Sequence, residues 1–128
     1  MTIRNARPSD APAWEAMRCK LWPDGAAEHA DEIADFFADG AKEPCAVLVA
    51  EDEPGRLIGV AELSLRDDVA GLAGERTGYV EGLYVVPEWR SRGIAQKLLR
   101  EAKLWAYKNN CTAFASDRAE RVIIDKRF

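Results

Sequence analysis

One segment limits the folds open to this chain more than any other. An apolar, β-rich run from Tyr79 to Val86 stops at Pro87 and passes within a few residues into a helical pattern. Proline has no N–H to give to a ladder, so it closes the strand. From Ile94 to Lys108 the residues Leu98, Leu99, Ala102, Trp105 and Ala106 recur as one stripe, while Lys97, Arg100, Glu101 and Lys103 mostly face away. Asn109-Asn110 suits a left-handed C-cap.

Between strand and helix lies the turn Arg90-Ser91-Arg92-Gly93-Ile94-Ala95. The first amides of a helix point outward unpaired, and the helix dipole adds partial positive charge. Together they make a seat for a pyrophosphate. Gly93 and Ala95 lack bulk, so phosphate oxygens can approach the main chain, and Arg90 and Arg92 add fixed charge. The pattern is neither a P-loop nor a dinucleotide fingerprint, since both glycine spacings are absent. Taken by itself, R-x-x-G-x-A reads as a basic helix cap.

The rest of the chain supplies a layer around this unit. Ile3 to Arg7 reads as a short strand, and Pro8-Ser9-Asp10 supplies the N-cap of a helix carrying Trp14, Met17 and Leu21 on one face. Pro23-Asp24-Gly25 ends that helix. A second helix begins near Glu28, turns Ile33, Phe36 and Phe37 to one side, and stops at Gly40. Cys45–Ala50 and Leu57–Leu65 read as paired strands around a turn at Asp52–Gly55. Asp67–Gly78 is a glycine-punctuated loop. Cys111–Ser116 and Arg121–Lys126 read as the last strands, with a turn at Asp117-Arg118-Ala119. The order β-α-α-β-β-β-α-β-β gives an α/β or α+β layer of helices on a mixed sheet, within a single domain over 1–128.

Composition narrows the chemistry. A length of 128 residues with 48% apolar content suits one core. No apolar run is long enough to cross a bilayer and no signal peptide opens the sequence, so a cytoplasmic protein is expected. Cys19, Cys45 and Cys111 are scattered, with no CxxC, and read as small buried hydrophobes. His29 is the sole histidine, which excludes a multi-histidine metal site. It falls in an acidic stretch expected to be exposed, and no catalytic role is assigned to it. A net charge of −4 disfavours nucleic acid and favours cationic small molecules. Much of the acid sits in Asp24, Glu28, Asp31, Glu32, Asp35, Asp39 and Glu43, for which a solvated helix face suffices.

Arg90-x-x-Gly93-x-Ala95, preceded by a strand and Val86-Pro87, resembles the acetyl-CoA motif of the GNAT acetyltransferase superfamily. A narrower resemblance, to the aminoglycoside 6′-N-acetyltransferases, rests on Leu21-Trp22-Pro23, Glu81-Gly82, Ala115-Ser116-Asp117 and Glu120-Arg121-Val122-Ile123. It implies a mixed, mostly antiparallel central sheet flanked by helices, and direct transfer of an acetyl group from acetyl-CoA to a 6′-amine. By that resemblance the main chain at Leu83 and Val85 pairs with the pantetheine arm. The amides of Arg90, Ser91, Arg92, Gly93, Ile94 and Ala95 hold the pyrophosphate. Trp22, Glu81 and Asp117 line the acceptor site, with Glu81 and Asp117 as the catalytic carboxylates.

The chemistry of the residues agrees with that assignment. An amine attacks a thioester only as the free base, so carboxylates that draw in a polyamine and pass on its proton fit the task. Without the resemblance, Glu81 reads as a solvent-facing strand residue and Asp117 as a turn former. The sequence departs from the family at its end. The usual last helix and one C-terminal strand are missing, Asp125 stands where a tyrosine commonly protonates the leaving thiolate, and the loop from Arg66 lacks a common aromatic. An exposed sheet edge left by that loss invites a second copy, so a homodimer is expected. Two other readings remain at this stage: acetylation of a different small amine or a peptide, and an acetyl-CoA-binding remnant without turnover.

Overall fold

A computed structural model describes residues 1–39, 43–118 and 121–128, with the side chains of 117–118 and 121–127 excepted. Six strands form one sheet in the order of the chain: β1 (Thr2–Asn5), β2 (Ala46–Glu53), β3 (Arg56–Arg66), β4 (Thr77–Val85), β5 (Ala113–Arg118) and β6 (Arg121–Arg127). Every neighbouring pair is antiparallel except β4 with β5, which is parallel. The parallel step requires a crossover, supplied by α3 (Ile94–Lys108). Two further helices, α1 (Ala11–Leu21) and α2 (Ala26–Phe37), lie between β1 and β2. Two residues separate β5 from β6, so the direct connection expected from the sequence is the one present. Among the described residues, no helix is long and apolar enough to cross a membrane.

Alternation along the strands divides the core between two faces. Leu48, Ala50, Ile58, Ala61, Leu63, Val80 and Phe114 pack with Ile94, Leu98, Ala102 and Ala106 of α3. Val47, Val49 and Val60 pack instead with Trp14, Met17 and Ile33 of α1 and α2. Phe36 and Phe37 meet the Trp14 ring edge-on, with centroids 5.4 and 5.8 Å away. The segment after β3 is more than a loop. Val69 and Leu72 are buried against Tyr79, Ala113 and Ala115, anchoring it to the sheet.

Element boundaries differ from the sequence reading in ways that have causes. The first strand ends at Asn5, although the Ala6 N–H still donates to the Val47 carbonyl at 2.9 Å and Arg7 remains extended, because Pro8 then opens a helical turn. Asp10 sits at the N-cap of α1, yet its carboxylate makes no cap bond. It instead accepts from the backbone N–H of Arg7 at 2.7 Å and from Arg4 Nη1 at 2.7 Å and Nη2 at 3.0 Å. Arg4 also donates to Glu51 across the sheet, which ties β1, β2 and the start of α1 together. The α2 stop at Gly40 lies outside the described residues. Asn110 adopts φ +62°, and the N–H of Cys111 returns to the Ala106 carbonyl, as a left-handed cap requires. Of the cysteines only Cys111 is buried. Cys19 is partly covered and Cys45 exposed, because their positions fall off the apolar stripes.

A buried ion pair joins α1 to the sheet. Glu62, 1% exposed in the middle of β3, accepts from Arg18 Nε at 2.7 Å and Nη2 at 2.9 Å, and from Trp14 Nε1 at 2.8 Å. Both charges are out of water, so each depends on the other for solvation.

Two stability measurements test these contacts. Glu62→Leu should cost about 3–5 kcal/mol in denaturant unfolding, since buried Arg18 keeps only the exposed Glu32, at 3.4 Å, as an anionic partner, while adding Arg18→Met should recover most of the loss. Equal destabilisation by the single and double variants would contradict the pairing. The Arg4 hydrogen bonds hold the Asp10 carboxyl below the usual carboxylate range. A depressed folded-state pKa contributes stability that is present above the unfolded value of about 3.9 and lost as pH falls below it. Wild type should therefore lose melting temperature between about pH 4.5 and pH 2.5 more steeply than Asp10→Asn, which is already less stable at pH 7. Parallel pH profiles would contradict this assignment.

Candidate active site

β4 and β5 stay paired for only four positions, Thr77 to Val80 against Ala113 to Ser116. Beyond them β4 has a neighbour on one side only. A register shift lies at the same place: Glu62 faces Gly82 and Leu63 faces Val80, so Glu81 is the extra residue of a bulge. The bulge re-aims the strand where it leaves β5.

The amides on the free side follow from alternation. The N–H of Val86 donates to the Ile58 carbonyl at 2.9 Å, so alternate residues at 84 and 82 also face β3. Leu83 and Val85 therefore direct their N–H and C=O groups away from β3. Arg90 Nε confirms this side for Val85 by donating to its carbonyl at 2.8 Å. That bond leaves the Leu83 and Val85 amides as donors along the edge.

The turn after β4 is built by left-handed backbone. Ser91 has φ +64° and Gly93 φ +81°, a region costly for most side chains. A Cβ on Gly93 would meet nothing within 4 Å, so the space before the residue is open. The first bond of α3 runs from Lys97 N–H to the Gly93 carbonyl at 3.1 Å, and no side chain caps the helix. The amides of Ile94, Ala95 and Gln96 thus point into open space with the positive end of the dipole behind them. A cleft of about 570 Å³ lies over these groups, lined by Leu83, Val85, Arg90, Ser91, Gly93, Ile94 and Ala95. Arg92 does not line it. Its guanidinium sits 4.9 Å from the centre of the Trp89 ring, while that of Arg90 sits 5.2 Å from the Tyr84 ring. Tyr84, Trp89 and Gln96 also line the cleft and were not among the expected residues. The Ile94 side chain is buried, so only its backbone faces the cleft.

A second cleft, of about 450 Å³, opens on the face of α1 and α2. It brings together Trp22 and Glu81, as the sequence led one to expect, with Glu32, Glu43, Glu62, Arg18 and His29 beside them. The Trp22 indole lies on Gly82, where any Cβ would come within 2.6 Å of the ring. The Arg18 guanidinium carbon lies over the same indole, 5.4 Å from its ring centre. Asp117 lies in β5 opposite Val122, inside the strand rather than in a turn. Its side chain lies outside the described residues, as does that of Asp125 in β6.

His29 overturns its sequence reading. It is 2% exposed, although the seven carboxylates from Asp24 to Glu43 along the chain are exposed. The turn at Pro23–Gly25 folds the start of α2 back over α1, which buries this one face. The Trp22 carbonyl can only accept, so Nε2 at 2.9 Å carries the hydrogen, and Nδ1 accepts from Arg18 Nη1 at 3.4 Å. Arg18 and Glu62 were also missed. Their signals were a charge inside the apolar run Leu57–Leu65 and a charge four residues after Trp14 on the apolar face of α1.

Glu81 is half-buried and already engaged. Arg66 Nε donates to Oε2 at 2.6 Å and Nη2 to Oε1 at 2.8 Å, a bidentate fork. Glu81 and Leu83 lie two residues apart on one strand, so the anionic cleft and the amide-lined cleft share β4.

Comparison with known proteins agrees with this geometry. The profile of the acetyltransferase (GNAT) family matches residues 11–123. An aminoglycoside N(6′)-acetyltransferase type 1 of Klebsiella aerogenes is 40% identical over 116 residues, covering 90% of this chain and 76% of the relative. One from Stenotrophomonas maltophilia is 38% identical over 117 residues, covering 91% and 74%. The crystal structure of an aminoglycoside 6′-N-acetyltransferase from Acinetobacter haemolyticus superposes with a TM-score of 0.81 at 36% identity, covering 93% of this chain and 80% of that one. A structure of AAC(6′)-Iy with the bisubstrate analogue CoA-S-monomethyl-acetylneamine also gives 0.81, at 28% identity, covering 92% and 79%. With the family profile spanning most of the chain and such relatives over nine-tenths of it, this protein belongs to the GNAT acetyltransferase family.

Proposed function

We propose that the protein is an aminoglycoside 6′-N-acetyltransferase that takes its acetyl group from acetyl-CoA. The observation that carries the reading is the junction on β4: one strand presents free edge amides to one cleft and a carboxylate to another, two residues apart.

The donor groups suit a coenzyme A thioester. The uncapped amides of Ile94, Ala95 and Gln96, with the charge of Arg90 and Arg92 nearby, would hold the pyrophosphate. Leu83 and Val85 would hold the pantetheine arm through their amides, as an added strand would be held. When bound, acetyl-CoA supplies an activated acyl carbon. A strand amide at Leu83 or Val85 supports negative charge on the thioester oxygen.

On the acceptor side, Trp22 offers a flat apolar wall and Glu81, Glu32 and Glu43 an anionic rim. Such a surface draws in a polycationic sugar. Glu81 and Asp117 are assigned to holding the amine and taking its proton toward water as nitrogen attacks. Glu62 is excluded from that role, because Arg18 and Trp14 occupy its oxygens. A homodimer in which a second copy covers the free edge of β6, and a cytoplasmic location, complete the reading.

Mass spectrometry of kanamycin incubated with acetyl-CoA and protein should show a gain of one acetyl group, on the 6′-amine. Gly93→Val should abolish that gain and weaken coenzyme A binding in calorimetry by at least about a hundredfold, since the branched side chain resists positive φ and fills the approach to the amides. Acetyl transfer unaffected by Gly93→Val would refute the assigned cofactor seat, and absence of any acetylated kanamycin would refute the acceptor.

A further inference from the structure

The carboxylate assigned to the acceptor is held by a cation of the protein itself. Arg66 ends β3 and spans the bulge, and its fork occupies both oxygens of Glu81. The pair is electrically neutral as a unit, so Glu81 attracts an external ammonium less than its place in the cleft suggests. Arg66 is not locked in a core. Its side chain is 30% exposed, flanked by the Tyr79 ring at 4.9 Å. Two further carboxylates stand within its reach, Glu43 at 3.6 Å and Asp68 at 4.0 Å, with exposures of 52% and 75%. A guanidinium that released Glu81 would therefore keep anionic partners without entering water alone.

We propose that Arg66 is an internal competitor in the acceptor site: a guanidinium that the acceptor's ammonium must displace from Glu81, handing it to Glu43 and Asp68. The inference rests on Glu81 being an acceptor-binding carboxylate, as assigned above. Exchange of one cation for another on Glu81 gains little by itself. An acceptor with several amines offsets the exchange through its contacts with the remaining acidic rim, whereas an amino sugar with one amine has nothing to add. The exchange thus sets an affinity threshold that a polyamine clears through its other contacts and a monoamine does not.

Calorimetric titration of kanamycin and of glucosamine into the protein loaded with coenzyme A tests the exchange. Arg66→Gln should tighten kanamycin by about fivefold, the size expected when a partly exposed ion pair no longer competes, and tighten glucosamine by a similar factor, leaving the ratio between them unchanged, since the displaced cation is common to both. The KM for kanamycin should fall in step while kcat changes less than about twofold. Glu81→Gln should weaken kanamycin. Arg66→Lys keeps the charge without the fork, and its affinity should lie between wild type and Arg66→Gln. If Arg66→Gln does not fold, the Lys variant decides by the same criterion. Unchanged or weaker kanamycin binding in a folded Arg66 variant, with Glu81→Gln still weakening it, overturns the displacement and leaves the acceptor role of Glu81 standing. Unchanged binding in Glu81→Gln overturns both.

Discussion

Everything distinctive about this molecule depends on where β4 parts from β5. The parallel pair is held through Val80 and Ser116, and the bulge at Glu81 begins at that point. Below the parting the sheet is clamped: Gly78 allows Ala106 of α3 so close that a Cβ there would sit 2.5 Å from it. Above it, β4 keeps β3 on one side and leaves the other open. An open edge inside a sheet usually invites misassociation. Here it is short and overhung by the turn into α3, so that edge amides and helix amides converge on one cleft.

The same strand divides two electrostatic environments. Toward α3 the free groups are donors, supported by the helix dipole and two arginines. Toward α1 and α2 stand carboxylates paired with arginines, Glu81 with Arg66 and Glu32 with Arg18, beside Trp22 as an apolar wall. Glycine at 82 lets the indole lie directly on the strand, and His29 holds the carbonyl of that same residue. The Arg18–Glu62 pair supports the wall from within, so its charges shape the cleft without being available to a ligand. The two clefts thus open within two residues of each other where β4 parts from β5.

Much of this was legible before any coordinates. The strand, Pro87, the glycine turn and the striped helix all stand where the sequence puts them, because local chemistry alone determines a helix N-terminus after a strand. Most strand ends lie within a residue or two of the sequence reading, with β2 running three residues past Ala50 to Glu53. What could not be read was partnership at a distance. Glu81 looks free in sequence because Arg66, fifteen residues earlier, meets it only through the β3–β4 register. His29 looks exposed because its neighbours along the chain are acids, and only the back-folding of α2 onto α1 buries it. Glu62 and Arg18 each break an apolar pattern, and each break marks a buried partner. Val69 and Leu72 were passed over as loop because glycines around them masked two apolar anchors.

In the proposed function, the free edge of β4 receives coenzyme A as an added strand. Amide hydrogen exchange followed by NMR, with and without coenzyme A, tests it at single residues. The Leu83 and Val85 amides should exchange quickly in the free protein and become strongly protected on binding, while Tyr84 and Val86, already bonded toward β3, change little. Coenzyme A binding that protects the α3 turn but leaves Leu83 and Val85 exchanging as before would contradict the claim.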